Sequence, residues 1–226
     1  KNLGNYLNKF YLEKNFTVIG ITKKSKSKIN KNNYLCDLSD SKKTEKTLKK
    51  IKKKYKNINL IIACAGASKK TYNKTETIKD WKFAFNNNFF CFTNLLDSYL
   101  KIYKKKSTKI IVISSIASSK ITKAPITYSV AKSALNFYAQ MKAKDLSKND
   151  IKINILLPGN ILMKNNNWSK KIKDNQKQVK KYIKENVPLN KFCRPEQIAE
   201  MCDYLFGNSG DYVTGSKFII DGGESL

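Results

Sequence analysis

Short apolar runs alternate along this chain with longer stretches in which apolar residues recur at three- and four-residue intervals. Thr17–Thr22, Asn59–Cys64, Lys109–Ile113, Ile151–Leu157 and Lys217–Ile220 are strand-sized and rich in Ile, Val and Leu, the pattern of strands buried on both faces. Between them the spacing predicts helices near residues 3–14, 41–55, 78–104, 127–147 and 195–206. Strand–helix alternation of this kind predicts an α/β fold, a doubly wound parallel sheet with helices on both faces, in a single domain over residues 1–226. No domain boundary or internal repeat interrupts it. The polar stretch Lys164–Lys181 is the least core-like. Because it follows Pro158-Gly159, the segment 164–190 reads as a substrate lid, or equally as a solvated loop.

Composition narrows the function. At 226 residues with 41% hydrophobic content, the chain can bury an ample core. Its 45 basic and 17 acidic residues give a formal charge of +28, and Arg194 is the single arginine. Readers of nucleic acid lean on arginine for bidentate contacts. Lysine, asparagine and isoleucine abound in every part of the chain, so the charge reads as compositional bias and no specific nucleic-acid partner is expected. Five cysteines (Cys36, Cys64, Cys91, Cys193, Cys202) form no Cys-x-x-Cys pair, and histidine is absent. This argues against a metal site or a disulfide framework and for reduced thiols in the cytoplasm. The apolar runs are too short to span a membrane. Without histidine, proton transfer falls to Tyr, Lys and carboxylates.

One constellation offers that chemistry. The apolar strand at 110–113 ends in Ser114-Ser115, and after a short loop come Tyr128 and Lys132, one helical turn apart on one face. In so lysine-rich a chain the Tyr-x-x-x-Lys spacing alone says little, since Tyr138 and Lys142 share it. Only the first pair follows a serine-ended strand. A serine hydroxyl and a tyrosine beside a fixed positive charge can polarise and protonate a carbonyl. Lys132 should favour tyrosinate and lower the Tyr128 pKa from its usual ~10.

These residues, with Asp80-Trp81 and Asn86-Asn-Asn88, Ile151–Gly159, Val187-Pro-Leu189 before Arg194-Pro195-Glu196, Tyr212-Val-Thr-Gly215 and Asp221-Gly222-Gly223, resemble the short-chain dehydrogenase/reductase family, in particular members similar to 3-oxoacyl-carrier-protein reductases. The resemblance covers essentially the whole chain and implies a Rossmann-type sheet. It implies catalytic roles for Asn88, Ser115, Tyr128 and Lys132, with Asn88 holding a water that resupplies Lys132 with protons. It places the nicotinamide cofactor against Leu3, Gly4, Thr22, Lys23, Asp37, Leu38, Ala65, Gly66, Tyr128, Lys132, Pro158, Gly159 and Ile161. Lys132 would hold the nicotinamide ribose, and Asp37-Leu38 would lie beside the adenine. Strand 17–22 closes with Thr22-Lys23-Lys24 rather than an acidic residue, which favours NADP over NAD. The implied substrate is a small-molecule ketone or secondary alcohol; the implied assembly is a homodimer or homotetramer paired through the 78–104 and 127–147 helices.

Three departures mark the chain as divergent. The family's opening strand and most of its glycine-rich turn have no counterpart ahead of Leu3-Gly4, so an N-terminally truncated sequence is expected. Loss of that strand would expose two sheet edges. The family's Asn-Asn-Ala-Gly reads Ala63-Cys64-Ala65-Gly66, and Met163 stands where a threonine often contacts cofactor phosphate. Two other readings remain open: a catalytically weak homologue serving as a binding or regulatory module, and a lysine-rich nucleic-acid binder on a borrowed fold.

Overall fold

The computed structural model describes residues 2–23, 32–69, 75–104, 107–164 and 166–226. Among the described residues six strands, β1 (Gly20–Thr22), β2 (Asn33–Leu35), β3 (Leu60–Ala63), β4 (Thr108–Ile113), β5 (Ile151–Pro158) and β6 (Lys217–Ile220), are interleaved with eight α-helices. These are α1 (Leu3–Glu13), α2 (Ser41–Lys54), α3 (Ile78–Phe85), α4 (Cys91–Tyr103), α5 (Ile126–Leu146), α6 (Asn167–Asp174), α7 (Gln176–Asn186) and α8 (Pro195–Phe206). All strand pairs are parallel.

The central strands show why both faces must be covered. On β4, Ile110 and Val112 join Ile151, Ile153, Ile155 and Leu157 of β5 in a core with Phe92, Leu96, Leu135, Ala139 and Ala143 from α4 and α5. The alternate residues Ile111, Ile113 and Leu156 face the other way, onto Leu7 and Tyr11 of α1 and Ile198, Ala199, Cys202 and Leu205 of α8. This period-two division is what a strand buried on both sides produces. Alanines at 131, 139 and 143, each at most 1% exposed, let α5 lie close along the sheet.

The sheet is not continuous. β3-β4-β5-β6 form one four-stranded sheet and β1-β2 a separate pair. Among the described residues no strand joins β1 to β3. A cavity of about 1490 Å³ lies there, walled in part by Leu7, Tyr11, Ile21, Ile61, Leu95 and Tyr99. The β1-β2 pair is held instead through α2 and α4, where Leu48, Ile51, Leu95, Tyr99 and Tyr103 cluster with Ile19, Ile21 and Tyr34 around them.

Four elements differ from the sequence pattern. Strand β1 begins only at Gly20, and β2 gave no signal because it is three residues long. The single helix expected over 78–104 widens into a π-helical turn at Asn86–Phe90, dividing α3 from α4. The stretch around 164–181 is mostly helical: Asn166 and Asn175 accept hydrogen bonds from Ser169 and Gln178 amides and cap α6 and α7. Lysines masked its period. Of these two helices only Val179 and Ile183 are buried.

Candidate active site

The C-terminal ends of β3, β4 and β5 converge on one locality, where a doubly wound sheet places its ligands. Ser115 leaves β4 in extended backbone and caps the short turn Ile116–Ser118, its Oγ accepting from the Ala117 amide at 3.2 Å. Tyr128 lies in the first turn of α5, its hydroxyl close enough to the Ser115 side chain for its pKa to be pulled down by it. One turn on, Lys132 is 3% exposed and donates to the Ile113 carbonyl at 3.0 Å. Its Nζ stands 6.0 Å from the centre of the Tyr128 ring.

Gly66, after β3, closes this group from the other side. A Cβ there would come within 3.1 Å of Asn88 Oδ1 and 3.3 Å of Lys132 Nζ, so any other residue would crowd both side chains. Asn88 sits in the π-helical turn and is fully buried. Its Nδ2 donates to the Ala67 and Ala84 carbonyls, and its Oδ1 accepts from the Ala67 amide. Both donors are thus spent on backbone, and the expected hold on a water is not made by them. Asn88 instead ties the β3 loop to the helix beside Lys132.

The electrostatics run against one expectation. Burial pushes the Tyr128 hydroxyl above its usual value, with Ser115 opposing. Burial also brings Lys132 down to about 8, although the neighbouring Cys91 and Cys64 pull upward. A lysine that donates to Ile113 and is itself easily deprotonated gives less help to tyrosinate than a fixed charge would. The thiol of Cys64, which stands in place of one of the family's asparagines, is raised by burial with Lys132 opposing, and adjoins the site.

The remaining residues read for cofactor fall on two sides. Leu3, Gly4, Thr22, Lys23, Asp37, Leu38, Ala65 and Gly66 all line the large cavity, as does the catalytic candidate Asn88. Pro158 ends β5, and Gly159 and Ile161 belong to the turn after it, anchored where Leu162 donates to Cys193 and Cys193 to Asn160. Lys23 pairs with Asp37 at 2.7 Å. Although burial raises the Asp37 carboxyl, hydrogen bonds from Lys23 and Ser39 outweigh it and hold it below the ordinary range. The lysine read as phosphate-seeking therefore already has an anionic neighbour; Lys24 lies outside the described residues. At the start of α1, Asn2 Oδ1 accepts from the Asn5 amide at 3.1 Å, so an incoming phosphate would compete with a cap already in place.

Sequence reading also missed a group around the C-terminal tail. Asn160, Tyr182 and Glu224 share hydrogen bonds, and Trp168 packs between Tyr182, tilted against it, and Phe192, edge-on. An aromatic pair inside a lysine-rich stretch was the available signal.

A family model described as enoyl-(acyl carrier protein) reductase matches residues 13–225. The chain belongs to the short-chain dehydrogenase/reductase family. It is 31% identical over 150 residues to dehydrogenase/reductase SDR family member 6 of Rattus norvegicus, covering 66% of this chain and 61% of that protein. To a 3-oxoacyl-(acyl-carrier-protein) reductase of Buchnera aphidicola it is 28% identical over 181 residues, 80% of this chain and 71% of the relative. The chain thus spans under two thirds of the rat protein's length. In fold it is similar to the RhlG/NADP active-site complex of Pseudomonas aeruginosa, with a TM-score of 0.86 at 20% identity over 100% of this chain and 93% of that one. It is also similar to a 4-hydroxyisoleucine dehydrogenase complexed with NADH, TM-score 0.83 at 22% identity, covering 97% and 92%. In the described residues no helix is long and apolar enough to cross a membrane.

Proposed function

We propose that this chain is an oxidoreductase that interconverts a ketone and a secondary alcohol with a nicotinamide cofactor, NADP in preference to NAD. The observation that carries the reading is the convergence of Ser115, Tyr128 and Lys132 at the end of β4, closed by Gly66. The fit of the cofactor is supported by the close backbone approach at Gly66 and by the position of Thr22, Lys23, Asp37 and Leu38 at or just past the ends of β1 and β2. When bound, the nicotinamide would supply or accept the hydride.

The protein's share of the work then follows. Ser115 Oγ donates a hydrogen bond to the substrate oxygen and fixes the carbonyl. Tyr128, held beside Ser115, passes its phenolic proton to that oxygen as negative charge builds there. Lys132, one turn away, supplies positive charge and resupplies the proton. Gly159 and Ile161, just past the end of β5, would hold the cofactor there, and α6–α7, which follow in the chain, would shield it from water. A small-molecule substrate, a cytoplasmic setting and a homo-oligomer complete the proposal; Val130, Phe137 and Met141 of α5 are exposed enough to pair with a second copy.

Titration with NADPH and with NADH tests this directly. Tight NADPH binding, followed by carbonyl-dependent NADPH oxidation that Tyr128→Phe removes, supports the reading. Nucleotide binding with no turnover on any carbonyl would favour the second reading, a binding or regulatory module. That alternative draws on the capped start of α1 and on Ala63-Cys64 in place of two asparagines. Failure of a folded protein to bind either nucleotide would defeat the reductase.

A further inference from the structure

We propose that Glu224 is a positioning residue whose carboxylate latches the α6–α7 flap to the turn after β5, so that flap and turn move together. Three segments distant in sequence meet at this one side chain. Asn160, directly after Pro158-Gly159, donates through Nδ2 to Glu224 Oε1 at 2.7 Å and to Oε2 at 2.8 Å. From α7, the Tyr182 hydroxyl donates to Oε1 at 3.0 Å. Gly159 makes room for the carboxylate, since a Cβ there would stand 2.9 Å from Oε2 and 2.8 Å from Asp221 Cβ.

The carboxylate is itself held in place. Asp221 accepts from the Gly223 amide at 2.9 Å and the Ser225 amide at 2.7 Å, folding the tail back beneath Glu224. Lys120, from the loop beyond Ser115, donates to the Ser225 and Leu226 carbonyls. On the flap side Tyr182 lies 5.2 Å from Trp168 at 34°, and Trp168 lies 5.2 Å from Phe192.

Two physical points make Glu224 more than one polar contact among many. The flap has a thin apolar anchor, with only Val179 and Ile183 buried, so polar contacts carry an unusual share of its docking. Hydrogen bonds to an ionised acceptor are also about twice as strong as neutral ones. With one carboxylate bridging both partners, a shift of Asn160 at the turn is felt by Tyr182 on the flap. The latch rests on geometry alone; only its link to cofactor depends on the reductase reading.

The test uses the full chain without nucleotide, as wild type, Tyr182→Phe and Glu224→Gln, each confirmed folded by circular dichroism. Trypsin cleavage after the flap lysines (Lys170 to Lys184) is followed by mass spectrometry, with cleavage after the α2 lysines as internal control. In a Trp81→Phe background Trp168 emission reports the flap directly, since the chain has two tryptophans. The latch predicts about tenfold faster flap cleavage in Tyr182→Phe, the scale of one lost hydrogen bond to a charged group. It also predicts a red shift of Trp168 and unchanged cleavage in α2. Unchanged flap cleavage and emission in both folded variants would overturn it, and Tyr182→Phe keeps the ring contact with Trp168 so that packing loss is not the cause. NADPH is then added. Slower flap cleavage in wild type, and less slowing in the variants, supports the coupling. NADPH that binds yet protects all three equally overturns the coupling. NADPH that does not bind at all overturns the reductase reading and leaves the latch to stand on the first comparison.

Discussion

At the scale of single residues, the reactive group is a buried compromise. Lys132 with a pKa of about 8 disfavours its own charge in the folded state, against ~10.5 when unfolded. The sign follows from proton counts: between those values the unfolded chain binds more protons, so this group's contribution to stability rises with pH across that window. Below pH 8 burial of the ammonium costs about 3 kcal/mol on this basis. Lys132→Met should therefore be more stable than wild type at pH 7, with the advantage shrinking by pH 9.5; paired urea unfolding at the two values checks it. Taking the difference cancels the thiols and tyrosines away from Lys132; Cys64 and Cys91, which its charge lowers, are replaced by serine in both proteins. Tyr128→Phe should lower carbonyl reduction by 10² or more, with NADPH binding nearly intact. Asp37→Asn frees Lys23 from its partner and should raise the NADPH-over-NADH affinity ratio several-fold, by roughly the worth of an exposed ion pair. An unchanged ratio would remove Lys23 from cofactor selection.

Ser115, Tyr128 and Lys132 were legible because their chemistry depends on residue type and short spacing. Glu224 was not, because its role depends on Asn160 and Tyr182, 64 and 42 residues away. The ion pair that occupies Lys23 was hidden for the same reason.

Among elements, local rules were readable where they were strong. Thr77 caps α3 with a reciprocal pair, accepting from the Asp80 amide while Asp80 accepts back from the Thr77 amide. Thr77→Ala should lower stability by about 1 kcal/mol, a thermal shift visible by calorimetry, without altering the site. The strands 109–113 and 151–157 came through because parallel strands buried on both faces are nearly all apolar, and 217–220 through its run Phe218-Ile219-Ile220, although Ile219 is exposed at the sheet edge. The π-helical turn at Asn86–Phe90 left no such signature, since one extra residue in a helix changes no composition. Helices α6 and α7 were obscured by their lysines, and β2 by its length.

Over the whole molecule, a charge of +28 opposes compaction through self-repulsion. Raising sodium chloride from roughly 0.05 to 0.5 M shortens the screening length several-fold and should raise Tm by a few degrees; a flat or falling Tm would show that local ion pairs outweigh the global field. The doubly wound class was legible from alternation. Thr22, Lys23, Asp37 and Leu38 belong to the β1-β2 side, while Ser115, Tyr128, Lys132 and Gly159 belong to the four-stranded side. A dinucleotide long enough to touch both would brace one against the other. Amide exchange along Gly20–Thr22 and Asn33–Leu35 should then slow on nucleotide addition, making that short pair a gauge of occupancy.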